Sequence, residues 1–161
     1  MIDVNVAGQE GTFAMDRSGG LQIQKVIQLC FSGKYTEKGL WNLLNREGGV
    51  YSYLGTKDLR EVERRIEAGD RQAALIFDAM VYQTAKDIGA MATVLNGRAD
   101  AVLLTGGMAR SEKLVDQLRK AIQWIAAVTV YPGEDELQAL AEGAMRVQCG
   151  EEQARELEQD V

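Results

Sequence analysis

The longest regular pattern of apolar and polar positions lies in the middle of the chain. Over residues 70–95, small and apolar side chains recur at helical spacing and occur nearly all round the helix that they define. The pattern predicts a single helix, which at about 1.5 Å per residue would span roughly 39 Å. Asn96 and Gly97 end it. Because small and apolar positions occur nearly all round, we expect this helix to lie buried against a sheet or another helix.

Two apolar segments follow the long helix, and a helical pattern comes after each of them. Residues 101–104 are apolar and residues 126–131 are rich in β-branched side chains, which predicts two buried strands. Ser111 is a good N-cap for the helix after the first strand, and helical spacing covers residues 136–148 after the second. Helices and strands that alternate in this order predict an α/β layer arrangement.

The amino-terminal half contains shorter patterns. Apolar side chains at near-helical spacing predict a helix over residues 21–31, and Thr36 is placed to cap a second helix whose inner face includes Leu40 and Trp41. Residues 50–54 alternate in polarity and predict a short extended piece. Asp58 is the expected cap of a further helix.

The two ends of the chain lack a clear pattern. Residues 1–20 combine four glycines with polar side chains, which predicts either a functional loop or a chain cut from something longer. Arg17 precedes two glycines there, so its guanidinium is either held out toward an anion or simply solvated. Residues 151–160 are acidic and form either a helix or a frayed tail.

Composition and charge narrow the class of protein. The chain has 161 residues, of which 46% are hydrophobic and 26% charged, values typical of one globular domain. Its net charge is -6, and no basic cluster is present, so we expect no nucleic-acid partner. The sequence has no export signal and no apolar run of spanning length, which predicts a cytoplasmic protein without a membrane partner.

The residue types that are missing restrict the chemistry. The chain has no histidine, which excludes a Ser-His or Cys-His catalytic couple within it. Cys30 and Cys149 do not form a Cys-x-x-Cys pair, which argues against a disulfide framework or a zinc site. Catalysis would therefore have to use carboxylates, arginine, lysine, backbone amides or a metal bound by oxygen.

The turn between the first strand and its helix is the main candidate for ligand binding. Gly106 and Gly107 follow the strand directly, and glycine has no Cβ to keep a flat ligand away from the backbone. Such a turn at the carboxyl end of an α/β strand is typical of nucleotide sites. It also occurs as an ordinary strand-to-helix connection.

Several separated segments resemble the carboxyl-terminal half of butyrate kinases. They share the family's order along the chain and lie at residues 16–19, 53–60, 104–111, 130–136 and 139–144. Butyrate kinases belong with acetate kinase to the superfamily of sugar kinases, heat-shock chaperones and actin, whose members have two ribonuclease-H-like lobes around a cleft. The resemblance covers nearly the whole chain, but the amino-terminal lobe and the glycine-rich phosphate segment before Ile2 are missing.

The resemblance implies a fold and a division of the chain. It predicts an α/β, ribonuclease-H-like carboxyl-terminal lobe over residues 1–161, with a mixed sheet flanked by helices. Within it, residues 1–20 would be an active-site loop, residues 21–68 a helical insertion and residues 70–150 the α/β core.

The resemblance also implies roles for particular residues. The glycine turn would lie under the adenosine of ATP, with contacts from Thr105, Gly106, Gly107 and Met108. Arg17 matches an arginine that contacts the acyl phosphate and the transferring phosphoryl group, a catalytic role in charge stabilisation.

An acidic turn after Pro132 matches the place where the family carries a glutamate for Mg²⁺. Either Glu134 or Asp135 would take that role, since the two registers of the motif differ by one residue. The alternative interpretation is that these carboxylates only cap the helix that follows.

The implied function is that of a short-chain fatty acid kinase, which makes acyl phosphate (butyryl phosphate) and ADP from the acid and ATP. The alternative is a non-catalytic nucleotide-binding or oligomerisation lobe of the same fold. The expected partners are a short-chain carboxylic acid, ATP with Mg²⁺, and the missing amino-terminal lobe. The chain alone is expected to be inactive, and exposure of the surface that would face that lobe favours a homo-oligomer, such as a dimer.

Overall fold

The computed structural model describes residues 2–5, 10–133 and 135–154. In this part of the chain the helices are α1 (Ile23–Cys30), α2 (Glu37–Arg46), α3 (Gly49–Leu54), α4 (Leu59–Glu67), α5 (Arg71–Val94), α6 (Glu112–Ile122) and α7 (Glu136–Gln148). The strands are β1 (Ala101–Gly106) and β2 (Ala127–Pro132), and a 3-10 helix (Gly107–Arg110) follows β1.

Helix α5 is the centre of the packing, as its pattern predicts. The carboxylate of Asp70 caps it by accepting from the amides of Gln72 and Ala73, at 2.9 and 3.0 Å. Phe77 lies in the core with side chains from α3, α4 and α6 around it. Burial covers one side only, because Leu75 and Tyr82 are exposed. The prediction that α5 lies buried against another helix is confirmed for its inner face, although apolar side chains on its outer face are exposed.

The predicted extended piece at residues 50–54 is wrong, because these residues form α3. The alternating pattern also places Val50 and Leu54 four residues apart, and both are buried in the core on one helix face. The first amides of α3 find partners outside it: Val50 and Tyr51 donate to the carbonyls of Ala14 and Met15, at 3.0 and 2.9 Å. Tertiary contacts thus decide the conformation of this segment.

The two strands form a parallel pair, with Ala101 opposite Ala127 and Gly106 opposite Pro132. The α/β class is confirmed. The prediction of fully buried strands is wrong within the described residues, because burial alternates along β1 and Leu103 on its outer face is 62% exposed. Leu104, on the opposite face, packs against the core. The helices cover one face of the pair.

The helices after the strands differ in burial. Ser111 caps α6 as predicted, its Oγ accepting from the amide of Leu114 at 3.0 Å, and α6 buries an apolar face. Helix α7 has the predicted bounds, but Leu137 and Leu140 on it are 85% and 71% exposed. Residues 151–154 are not helical, and the remainder of the acidic tail lies outside the described residues.

The amino-terminal helices follow their predicted caps. Thr36 Oγ1 accepts from the amide of Gly39 at 3.1 Å, and Leu40 is buried. Trp41 is exposed, so its assignment to the inner face is wrong. Residues 10–20 contain neither helix nor strand, as expected. In the described part of the chain, no helix is both long enough and apolar enough to cross a membrane.

Candidate functional site

The two glycines of the turn differ in their backbone geometry. Gly106 has φ 86° and ψ 177°, a region that is essentially restricted to glycine. Its carbonyl accepts from the amide of Gly133 at 3.2 Å, which joins the turn to the segment after β2. Gly107 opens the 3-10 helix, is exposed and has no left-handed φ. Its backbone conformation is therefore open to residues other than glycine, and its exposure leaves it accessible to a ligand.

A cavity of about 680 Å³ lies between this turn and the start of α4. Gly107 and Met108 line it on one side, and Lys57 and Leu59 on the other. Its volume lies within the range of small-molecule sites. Of the described residues that line it, the basic ones are Lys57, Arg60 and Arg110. The lining also contains the carboxylates of Asp58 and Glu63, so basic side chains exceed acidic ones by one. The apolar wall and this excess of positive charge suit a flat ring carrying an anionic chain.

Lys57 connects the cavity to the amino-terminal loop. Its Nζ lies 3.8 Å from the carboxylate of Asp16, and 5.0 Å from the ring centroid of Tyr51. Despite these two contacts, the Lys57 side chain is about half exposed, with 46% of its surface accessible. The charge of Lys57 is held at the rim by weak contacts, and a ligand anion can compete for it.

Arg60 is oriented by the residue that caps its own helix. Its Nε and Nη2 donate to the two carboxylate oxygens of Asp58, at 3.0 and 2.8 Å, and Asp58 also accepts from the amide of Arg60. The side-chain hydrogen bonds from Arg60 lower the pKa of Asp58, and the same contact raises the pKa of Arg60. The guanidinium keeps an unused Nη1 edge that can donate to a ligand.

Ser111 links two of the helices that border the cavity. Its hydroxyl donates to the carboxylate of Glu63 on α4 while it caps α6. The contact spans 48 positions of sequence and joins the helices on the two sides of the cavity. This arrangement fixes the spacing between the glycine turn and the start of α4.

The acidic turn after Pro132 lies near Arg110, which lines the cavity. A Cβ built on Gly133 would lie 3.2 Å from Nη2 of Arg110 and 3.7 Å from Oδ2 of Asp135. Asp135 is exposed and stands at the N-cap position of α7, but its side chain accepts no capping hydrogen bond there. Glu134 lies outside the described residues. Asp135 is therefore available to a cation at the rim.

The donor set fits Mg²⁺ bound together with phosphate oxygens. Among the described residues, no three His, Cys, Asp or Glu side chains converge on one point that would enclose a metal ion. Mg²⁺ does not need such a cage, because it commonly uses one or two carboxylates, water and substrate phosphates. Asp135 supplies one such carboxylate near Arg110, which lines the cavity.

The predicted site residues are only partly brought together. Gly107 and Met108 line the cavity, whereas Thr105 and Gly106 precede it on β1 and do not. Arg17 is exposed in the loop of residues 10–20, and its carbonyl accepts from the amide of Ala14 at 2.9 Å. The side chain of Arg17 does not line the cavity.

Sequence reasoning from single residues missed the basic side chains of the cavity. Lys57 and Arg60 lie about fifty positions before the turn, and no helical or strand period connects them to it. Arg110 follows the glycine turn closely, but its position alone does not distinguish it from a solvated surface arginine. A signal was present, since all three belong to segments that carry the resemblance to butyrate kinases.

The fold is that of short-chain carboxylate kinases of known structure. Acetate kinase from Porphyromonas gingivalis matches with a TM-score of 0.73 and 21% identity, over 84% of this chain and 41% of that protein. Propionate kinase from Francisella tularensis matches with a TM-score of 0.70 and 19% identity, over 80% and 39%. Both similarities concern the fold alone.

The family follows from the sequence. The model of the acetokinase family matches residues 6–147. The probable butyrate kinase 2 of Caldanaerobacter subterraneus subsp. tengcongensis is 47% identical over 152 residues, and the probable butyrate kinase of Clostridium botulinum is 47% identical over 156 residues. The chain belongs to the acetokinase family, and the resemblance to butyrate kinases is confirmed.

The matched region makes up most of this chain but less than half of each relative. It covers 94% and 96% of this chain but only 43% and 44% of the two probable butyrate kinases. The chain thus spans less than half the length of these curated relatives.

Proposed function

We propose that the chain is the carboxyl-terminal, nucleotide-binding lobe of a short-chain fatty acid kinase that converts an acid and ATP to acyl phosphate and ADP. The observation that carries the proposal is the cavity that Gly107 lines together with Lys57, Arg60 and Arg110. Butyrate is the favoured acid because two relatives that are 47% identical to this chain are named probable butyrate kinases. Within the lobe we assign residues 1–20 to an active-site loop, 21–68 to a helical insertion and 70–150 to the α/β core.

ATP would bind with its adenosine against the glycine turn. Gly106 sets the path of the backbone, Thr105 precedes it, and Gly107 and Met108 offer a surface without bulky polar groups. Lys57 and Arg60 across the cavity, and Arg110 beside the turn, would offset the negative charge of the phosphate chain. Positioning and charge neutralisation are the main contributions that a protein makes to phosphoryl transfer.

Two further assignments concern the reacting end of the nucleotide. Asp135, with Glu134 next to it in the sequence, would hold Mg²⁺, which supplies charge neutralisation on phosphate oxygens. Arg17 would contact the acid and the transferring phosphoryl group. Its exposed guanidinium has no partner among the described residues, so its five donors are available.

A second candidate function is nucleotide binding without catalysis, in a lobe that also self-associates. The observation in its favour is the exposed apolar surface of α7 and of the outer face of β1. Both candidates require the nucleotide cavity, and both predict ATP binding by the chain.

Substitution of Gly107 tests the cavity directly. Gly107→Val should weaken ATP binding at least about tenfold, the equivalent of 1.4 kcal/mol, because the new side chain occupies the ligand's approach while the backbone needs no left-handed φ. The measurement is a calorimetric titration with ATP and Mg²⁺, with folding checked by circular dichroism.

Gly89→Val is the matched control, because Gly89 also lacks a left-handed φ and a Cβ there would meet nothing within 4 Å. It should bind ATP like the parent chain. Unchanged ATP affinity in a folded Gly107→Val chain would show that the glycine turn is not part of the nucleotide site.

A further inference from the structure

The cavity between the glycine turn and α4, here called the nucleotide cavity, contains a carboxylate with unused hydrogen-bonding capacity. Of the described residues that line it, Asp58 and Glu63 are acidic. Both oxygens of Asp58 accept from the guanidinium of Arg60. Glu63 accepts one hydrogen bond, at Oε1 from the hydroxyl of Ser111, and no described residue donates to its Oε2. A carboxylate can accept about four hydrogen bonds, so Glu63 keeps most of its capacity for a ligand.

The hydroxyl of Ser111 determines where this carboxylate lies. Its oxygen accepts from the amide of Leu114 at 3.0 Å, and its single proton is donated to Glu63. The amide thus holds the hydroxyl at the start of α6, and the hydroxyl holds Oε1 of Glu63. Because Ser111 closely follows the glycine turn in sequence, the partly buried carboxylate is kept near the turn and is not free to point into solvent.

The charge of Glu63 decides which part of a nucleotide can lie next to it. A carboxylate repels the phosphate chain, which belongs with basic side chains such as Lys57 and Arg60. The nucleoside carries the donors, namely the two ribose hydroxyls and the exocyclic amine of adenine. A charged acceptor suits these groups, because its hydrogen bonds are roughly twice as strong as those between neutral groups.

The position of Glu63 on α4 favours the ribose over the base. Glu63 follows Arg60 by three residues, so the two side chains share a face of α4 and lie about 4.5 Å apart along its axis. The ribose is joined directly to the phosphate chain, whereas the amine of adenine lies at the far edge of the base. A carboxylate one helical turn from a phosphate-binding arginine therefore reaches the ribose. Acidic side chains bind ribose hydroxyls in the same way in dinucleotide sites.

We propose that Glu63 accepts hydrogen bonds from the ribose hydroxyls of the nucleotide and makes the site selective for ribonucleotides. The inference rests on the proposed function and deepens it, since it names the residue that recognises the sugar. A nucleotide without these hydroxyls would leave the free oxygen of Glu63 facing a ligand that cannot donate to it. The contacts to the phosphate chain would be the same for both nucleotides, so the difference in their affinities isolates the contribution of the sugar.

The test is a calorimetric titration of the chain with ATP and with 2′,3′-dideoxy-ATP, both in excess Mg²⁺. The parent chain should bind ATP at least about tenfold more tightly than the dideoxy nucleotide, because hydrogen bonds to a charged acceptor are lost. Glu63→Met keeps the length of the side chain and removes the acceptor. It should bind ATP more weakly than the parent and the dideoxy nucleotide at least as tightly, which reduces the preference for ATP to less than about twofold.

Two further variants control for folding and for charge. Glu67→Met is the matched control, because Glu67 lies one turn further along α4, is exposed and does not line the cavity. It should keep the parent's preference for ATP. Glu63→Gln retains an acceptor for Ser111 and is therefore the variant that best preserves the fold. Its preference for ATP should fall about threefold below that of the parent, because its hydrogen bonds are neutral. Circular dichroism checks the fold of each variant.

Different outcomes overturn the inference and the proposed function. Equal affinity of the parent for ATP and 2′,3′-dideoxy-ATP, or a parental preference in folded Glu63→Met or Glu63→Gln, would overturn the role of Glu63 and leave ATP binding in place. Inosine triphosphate, which has an oxygen in place of the adenine amine, tests the base. If Glu63→Met lost discrimination against it but kept the preference for ribose hydroxyls, Glu63 would face the base and the inference would be wrong. A parent chain that does not bind ATP would overturn both.

Discussion

Replacing Phe77 with alanine is expected to destabilise the chain by about 3–5 kcal/mol. Phe77 is 1% exposed and belongs to a core cluster with side chains of α3, α4 and α6. Its ring also lies 5.5 Å from the ammonium of Lys113 on α6. Truncation removes the apolar contacts and leaves a cavity that helices on three sides cannot easily close. A loss of that size approaches the whole stability of a small domain.

The measurement is urea denaturation followed by circular dichroism, with Leu75→Ala as the control. Leu75 lies on the same helix but is 66% exposed, so its truncation should cost less than about 1 kcal/mol. Equal losses in the two variants would show that α5 does not bury the face that carries Phe77.

Replacing Gly49 with alanine is expected to displace the loop that carries Arg17. Gly49 has φ 57°, and its Cβ would lie 2.6 Å from the carbonyl oxygen of Arg17 and even closer to that of Ala14. The left-handed backbone costs an alanine about 1–2 kcal/mol, and the clash adds about 1–3 kcal/mol. Faster hydrogen exchange over residues 10–20 should accompany the loss of stability.

Gly55→Ala provides the matched control for strain alone. Gly55 has a similar φ of 68°, but a Cβ there would meet nothing within 4 Å. Its cost should be confined to the left-handed backbone, and exchange of residues 10–20 should stay as in the parent chain. If both variants lose the same amount of stability, the loop of residues 10–20 does not pack against α3.

Local signals predicted the helix starts well. Thr36, Asp58, Asp70 and Ser111 each cap a helix, and each accepts from an amide in the first turn. A cap depends on residues two or three positions away, so the sequence around it contains the necessary information. The α/β class follows from the same short-range patterns.

The failures concern contacts between distant segments. Residues 50–54 form a helix because the carbonyls of Ala14 and Met15 satisfy its first amides, a feature that alternation in polarity cannot reveal. The predicted burial of β1 requires covering elements that the described part of the chain does not supply. The candidate site shows the same limit. Gly107 was predicted from the turn itself, whereas Lys57 and Arg60 come near it only because α4 and α6 both pack against α5.

The most direct test of the nucleotide-binding lobe is a titration of the isotopically labelled chain with ATP and Mg²⁺, followed residue by residue by nuclear magnetic resonance. The expected result is saturable shifts at the amides of residues 107–111 and 57–60, which border the same cavity, with little change over α1. A folded chain whose spectrum does not change, or whose shifts saturate only at a surface away from the glycine turn, would contradict nucleotide binding in this cavity.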